Sequence, residues 1–314
     1  MREAAARIAP PTAVEGFEFQ AIRVGCVAAD TLSTARAGRV IAVFDRGFYI
    51  QFDGDLVFLG NADLASGPLN LVTSSPVSAN WKAAGVRVGD QVSHFAGRLI
   101  VPPRFRFTVD HPPVWRPERV TENLKADDVA RGLAGFREAA AGRLPREGLA
   151  RSIWDESDLG VAGRVVEAAR PCVGDLRDWM TLAFQDRGVA CPAAVTTLIG
   201  LGPGLTPSGD DLLGGAMIAA QVMEESSVAH RLWERIQPRL DATGVISRAH
   251  LRAAAGGLGH EVIHRALTAM LTGQTDGYGA LIDEIDRIGH SSGWDAIAGV
   301  VPALEAWLVS RSSP

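Results

Sequence analysis

Hydrophobic and polar positions change rhythm once along this chain. Up to about residue 110, short apolar or alternating runs dominate: Phe19–Val27, Arg39–Val43, Phe48–Phe52, Leu56–Leu59, Gln91–Phe95, Arg98–Val101 and Phe105–Val109. Turn residues punctuate them at Ala37-Gly38, Arg46-Gly47 and Asp53-Gly54, and Val86-Arg87-Val88-Gly89-Asp90 reads as a turn leading into a strand. Such runs between such breakers predict strands. Residues 15–110 are therefore expected to form a small antiparallel β domain, barrel or sandwich-like. Residues 1–14 read as a tail.

Beyond His111-Pro112-Pro113-Val114-Trp115-Arg116-Pro117, a proline-stiffened linker over 111–120, apolar residues recur near every 3.6 positions. That spacing predicts helices at Asp127–Ala141, Leu159–Ala169, Asp175–Arg187, Pro192–Leu198, Asp210–Glu224, Val228–Leu240, Val245–Ala255, His260–Leu271, Tyr278–Ile288 and Trp294–Ser310. Pro302 predicts a kink or break in the last of these. Strands followed by helices, with no βαβ alternation, give an α+β class and argue against a Rossmann domain. The helical domain spans 121–314.

Composition narrows the function classes. The 314 residues are 47% hydrophobic and 21% charged, enough for a sizeable core. A formal net charge of −5 argues against nonspecific nucleic-acid binding. The three cysteines, Cys26, Cys172 and Cys191, are far apart and form no zinc or disulfide pattern, which favours a reducing compartment. The first residues lack the apolar core of a signal peptide. The longest largely apolar run, Leu212–Met223, is too short to cross a bilayer. A cytoplasmic protein, without membrane or nucleic-acid partners, is expected.

The densest cluster of special backbone positions is Leu198–Gly215, LIGLGPGLTPSGDDLLGG. Glycine permits positive φ and close approach, and proline presets the first helical turn. The segment reads as a tight loop entering a buried helix. A weak repeat accompanies it: Ser208-Gly209-Asp210-Asp211-Leu212-Leu213-Gly214-Gly215 and Ser292-Gly293-Trp294-Asp295-Ala296-Ile297-Ala298-Gly299 share S-G-x-D-x-x-x-G, 84 positions apart. A capping box, with serine at the N-cap and an acid three residues on, explains Ser208 and Asp211 without function. Gly215 and Gly299 need only let helices approach. Neither explains Gly200, Gly202, Pro203, Gly204 and Pro207 together. The two loops are expected to share a ligand site, with Asp211 and Asp295 toward it. Helix N-termini favour anions, but Asp210 and Asp211 oppose one. Thr243, Ser247 and His250 lie on one helical face and could supply donors, as could His290; Arg248 and Arg252 fit a solvated surface better.

His260-Glu261-Val262-Ile263-His264 matches H-E-x-x-H, a zinc-hydrolase signature in which two histidines share a helix face and the glutamate acts as base. Its extended form fails, with Leu267 and Met270 where glycine and histidine are required, and a partly exposed helix whose histidines cap or pair with acids explains it better.

The run Gly200-Leu201-Gly202-Pro203-Gly204-Leu205-Thr206-Pro207-Ser208-Gly209-Asp210-Asp211 resembles the hallmark of the AllH-like family, which includes a subunit of oxamate carbamoyltransferase. Ile246-Ser247-Arg248-Ala249-His250-Leu251 and Gly289-His290-Ser291-Ser292-Gly293-Trp294-Asp295 are also similar to it. The resemblance implies a carbamoyl-transfer system acting with other subunits on a small amide, ureido or carboxylate compound. It assigns no catalytic residue. From the spacing alone, Asp211, Asp295, His250 and His290 are the catalytic candidates. Gly202, Gly204, Thr206, Ser208, Gly209, Asp210, Thr243, Ser247, Ser291, Ser292 and Gly293 are the substrate-binding candidates. No resident cofactor is expected, although Mg²⁺ could accompany a phosphorylated substrate, and a homo-oligomer is allowed. Two other readings stand: a zinc metallohydrolase using His260 and His264, and a noncatalytic ligand-binding scaffold subunit.

Overall fold

Asp53 and Gly54 carry φ of 45° and 101°, and Ala96 and Gly97 carry 48° and 70°. Two successive positive φ values match the right-handed twist of a β-hairpin, so these pairs close the hairpins Gly47–Gly60 and Gln91–Val101. In a computed structural model describing residues 16–120, 123–151 and 164–312, the first part of the chain carries β1 (Phe17–Gly25), α1 (Cys26–Thr34), β2 (Ala37–Val43), β3 (Gly47–Phe52), β4 (Asp55–Gly60), β5 (Asn70–Thr73), β6 (Gln91–Phe95), β7 (Arg98–Val101), β8 (Phe105–Thr108) and β9 (Val114–Trp115). Eight strands in the order β5-β4-β3-β2-β6-β7-β8-β1 close into a barrel through a β5–β1 pairing, and β9 lies beside β1. Closure removes the open edges that would otherwise template aggregation.

The barrel is mixed rather than purely antiparallel. β1 runs parallel to β8, and β4 runs parallel to β5. Strand β5 and most of helix α1 fall where no element was expected, Cys26 and Val27 start α1 where the end of a strand was expected, and β9 falls within the expected linker. Alternation turns Phe48, Ile50, Phe52, Leu99, Val101, Phe105 and Phe107 inward. The fully buried Trp81 packs against Phe48, Phe105 and Phe107 with ring centroids 5.3, 5.2 and 5.8 Å away. Its indole N–H donates to Asn61 Oδ1 at 2.7 Å, satisfying the one polar atom it buries.

The chain separates into two compact units. One takes residues up to Val24, Ala28–Leu64 and Asn70–Val114; the other takes Gly25–Val27, Ala65–Leu69 and everything from Trp115 onward. The second unit is helical: α2 (Ala126–Ala140), α3 (Arg164–Phe184), α4 (Ser208–Val222), α5 (Ser226–Ile236), α6 (Val245–Ala255), α7 (Glu261–Thr272), α8 (Tyr278–Ile285) and α9 (Ser292–Ser312). Residues Ala193–Leu198 and Gln237–Ala242 form 3₁₀ turns, where α-helix or a helix end was expected. The start of the expected helix Leu159–Ala169 lies outside the described residues. Its remainder is continuous with the expected Asp175–Arg187, because Pro171 sits inside α3 without ending it. Pro302 likewise leaves α9 unbroken. Proline removes one internal hydrogen bond; the burial of Leu176, Trp179 and Met180 on α3, and of Val300, Val301 and Leu304 on α9, offsets that loss.

Helices α4 and α9 are apolar nearly all round and make the most extensive helix pair in the unit. Such helices occupy a core rather than a surface. Helices α5 and α6 pack against α4, and α2 and α3 against α9. No helix among the described residues is long and apolar enough to cross a membrane.

Candidate functional site

Helices α4 and α9 begin with the two S-G-x-D repeats, and their packing brings both starts together. A Cβ added at Gly215 would lie 1.9 Å from the Ala296 carbonyl oxygen, and one added at Gly299 would lie 1.8 Å from that of Leu212. Leu212 and Ala296 occupy equivalent places in the repeat. The helices therefore cross backbone to backbone about a local two-fold relation. The same exchange governs the polar ends. Ser208 lies close enough to Asp295, and Ser292 to Asp211, to favour the ionised form of that carboxyl, so each repeat's serine serves the other repeat's aspartate. Thr206 and Ser292 join the loops directly, Oγ1 to Oγ, at 2.8 Å.

This geometry replaces the capping-box explanation. The residue before α4 is Pro207, and no side-chain cap bonds its first turn. Ser208 points across to α9 instead. The Gly209, Asp210 and Asp211 amides of α4 donate to the carbonyls of Leu201 and Pro207. In the preceding loop Gly200, Gly202 and Gly204 all have positive φ, as the glycine-rich sequence requires.

The three aspartates fill three different roles. Asp210 is 2% exposed and fully engaged: Oδ1 accepts the Gly200 N–H at 2.9 Å, and Oδ2 accepts the hydroxyls of Thr243 and Ser247 at 2.5 and 2.6 Å. It ties the loop to the start of α6. Thr243 and Ser247 were expected to face a ligand, but here their hydroxyls are directed to Asp210. Replacing Asp210 by alanine leaves two buried hydroxyls and one amide without an acceptor, which should cost about 2–3 kcal/mol. Urea denaturation measures this; a loss under about 0.5 kcal/mol would exclude the anchoring role.

Asp295 is 1% exposed. Its Oδ1 accepts the Leu149 N–H at 2.5 Å, and its Oδ2 accepts the Ser291 hydroxyl at 2.8 Å. Burial raises its pKa, and the bonds from Leu149, Ser208 and Ser291 pull it back. Gly148 makes the Leu149 contact feasible: it has φ of 82°, and a Cβ there would meet Asp295 Oδ1 at 2.4 Å. Neither Gly148 nor Leu149 stands out in sequence, because the donor is a backbone amide that any residue possesses.

Asp211 is half-buried, yet its Oδ2 is shielded from solvent and has no hydrogen-bond partner. Burial raises its pKa well above the usual carboxylate range. The nearby charges of Asp295 and Asp210 add to this, and the hydroxyls of Ser292 and Thr206 oppose it.

The histidines divide. His290 is largely exposed and pairs with Glu147 at 2.8 Å beside the second loop. The His250 ring stacks on that of His260 with centroids 5.9 Å apart. His264 Nε2 accepts the Gly259 N–H at 3.1 Å. Burial lowers the pKa of His250 to about 3 and those of His260 and His264 to about 4. The H-E-x-x-H pattern does not take its expected form. His260 caps α7 with φ of −63° and ψ of 143°, its carbonyl accepting the His264 N–H, and its ring stacks on His250. His264 spends a ring nitrogen on a backbone amide, and Glu284, a conceivable third ligand, pairs with Arg265. Among the described residues no group of three or more histidines, cysteines and carboxylates is placed to hold a metal.

Comparison with known proteins adds a second line of information. Residues 198–304, which contain both S-G-x-D repeats, match the family described as oxamate carbamoyltransferase subunit AllH. Residues 20–114, the barrel, match the AllH family N-terminal domain. No curated protein and no solved structure matches the chain.

Proposed function

The chain belongs to the AllH family, and from that premise we propose that it is the subunit of a carbamoyltransferase that holds a small carboxylate or phosphate at its paired S-G-x-D loops. The observation that carries this reading is the meeting of two helix N-termini whose serines are exchanged between repeats. Two helix starts side by side direct the positive ends of two dipoles at one small anion, although the amides of Gly209, Asp210, Asp211, Gly293 and Asp295 already donate to backbone carbonyls. Thr206 and Ser292 meet between the loops, and Gly204 leaves open space beside its backbone, whereas Gly209 and Gly293 serve close packing on Leu198 and Ile285. The opposing charge of Asp210 and Asp295 is compensated by the donors that bind each of them.

Catalysis in such a site is positioning plus stabilisation of developing negative charge. The chain's part is to hold the acceptor or the departing anion at the loops while partner subunits complete the transfer centre. His290 stands beside the second loop and is accessible as a further donor; His250, on α6, is stacked on His260 instead. Mg²⁺ is the one cofactor the reading allows, carried in by a phosphorylated substrate. Titration calorimetry with oxamate, oxalurate, phosphate and carbamoyl phosphate tests the site. The paired substitution Ser208→Ala and Ser292→Ala should weaken the best of these ligands by roughly 10-fold or more, from the loss of two hydroxyl contacts and of the loop geometry they maintain. Unchanged affinity in the double variant would falsify the site. A noncatalytic role differs in one respect: partner subunits would then turn over substrate at full rate even when the loops are emptied by substitution.

A further inference from the structure

The repeat sets two like carboxyls, Asp211 and Asp295, in equivalent positions, and their partners are unequal. Asp295 receives a donor on each oxygen, the Leu149 amide on one and Ser291 on the other, with Ser208 close by. Asp211 lies beside the hydroxyls of Ser292 and Thr206, which bond each other and so have one proton between them left to give, and its Oδ2 receives none. The sequence explains the difference. Pro207 stands where the second repeat has Ser291, so the hydroxyl that satisfies Asp295 Oδ2 has no counterpart at Asp211.

Resting on the two-loop site, we propose that Asp211 is the neutral, hydrogen-donating carboxyl of the pair and that its Oδ2–H binds an oxygen of the carboxylate or phosphate ligand. Donors aimed at a carboxyl favour its ionised form. When two carboxyls lie close together and one proton is available, it settles on the one with fewer donors. An acid oxygen that accepts nothing, in a buried setting, is where that proton belongs. The groups acting on Asp211 agree. Asp295 from α9 and Asp210 from α4 both disfavour a second negative charge, while Ser292 from α9 and Thr206 from the loop contribute only neutral hydroxyls. A protonated Asp211 removes the last objection to an anion at the mouths of α4 and α9, because the three aspartates then present donors or spent oxygens rather than free charge.

Two measurements test the proposal on the intact chain. The first is the infrared spectrum of the ligand-free protein at neutral pH. A protonated carboxylic-acid carbonyl band should be present in the wild type and missing in Asp211→Asn; its absence in the wild type overturns the proposal. The second is binding of oxamate and of inorganic phosphate as a function of pH. Asparagine keeps a donor near the same place, so Asp211→Asn should bind within about 3-fold of wild type at neutral pH and lose the fall in affinity that wild type shows as pH rises. Asp211→Ala should bind at least about 10-fold more weakly, the loss of one hydrogen bond to a charged group. If Asp211→Asn falls as far as Asp211→Ala, or wild-type affinity climbs with pH, the neutral-acid assignment is wrong while the two-loop site stands. If the band is present and wild type binds neither probe, the two-loop site fails and Asp211 retains its proton without an anion to receive it.

Discussion

Replacing Gly299 by alanine should abolish folding of the helical unit or destabilise it by about 4 kcal/mol or more. The new Cβ would sit 1.8 Å from the Leu212 carbonyl oxygen and 2.7 Å from the Ala216 nitrogen. Both are backbone atoms of a helix with neighbours on most sides, so the collision cannot be relieved by turning a side chain. Relief requires α4 and α9 to separate along their shared length, and that strips contacts from much of the core. Gly215→Ala should behave alike, with its Cβ 1.9 Å from the Ala296 carbonyl. Gly174, inside α3, provides the control. A Cβ there meets nothing within 4 Å, and alanine should stabilise that helix by roughly 0.5–1 kcal/mol. Soluble yield and thermal midpoints decide the matter. A Gly299→Ala chain that melts near the wild-type temperature would show that the helices do not cross as closely as described.

Acid should weaken the fold in a range set by three histidines. His250, with a pKa near 3, and His260 and His264, near 4, stay neutral in the folded chain well below the ordinary histidine value. The unfolded chain binds those three protons near pH 6.5. Stability from these groups is therefore complete above about pH 6.5, falls as pH drops below that value, and is exhausted near the folded pKa values. Each tenfold difference in proton affinity between the folded and unfolded chain corresponds to about 1.4 kcal/mol, and the partial exposure of His250 and His260 discounts the total to about 4–6 kcal/mol. Asp211 and Asp295 act in the opposite direction. Their raised pKa values cost stability near neutrality, and that cost is recovered as pH falls toward the ordinary carboxylate range. The histidine contribution is isolated by comparing wild type with His264→Gln, which cannot take the proton. The difference between the two should change by about 2 kcal/mol between pH 7 and pH 4. Parallel stability curves over that interval would rule out a buried neutral His264.

The parts of this molecule legible in sequence are those encoded by local pattern. The strand-then-helix order, the Asp53-Gly54 turn and helix α6 follow from periodicity and turn chemistry. The Ser208 and Ser292 repeats also announce themselves as a pair, because glycine, serine and aspartate at fixed offsets are costly to repeat without a shared purpose. What escapes is non-local. Which strands run parallel depends on chain closure that no short window records. Helix α1 is nine residues of small and β-branched types with little amphipathic signal. The Leu149 amide and Pro207, which together separate Asp295 from Asp211, act through a backbone donor and a missing hydroxyl. Neither can be weighed until the aspartates are known to be equivalent. The histidine motif misleads for a related reason: an i, i+4 match presumes helix at both ends, and His260 lies just before α7 begins.

The crossing of α4 and α9 has one more consequence. In a symmetric dimer the interface is isologous: each residue meets on its partner the position that meets it in return. Gly215 against Ala296 and Gly299 against Leu212 satisfy that condition within a single polypeptide. The chain in this respect is its own dimer. Association of the two halves takes place at a local concentration set by the intervening segment rather than by how much protein the cell contains. Dilution therefore leaves the paired loops assembled, whereas a single cut between α7 and α8 would turn the same contact into one that depends on concentration.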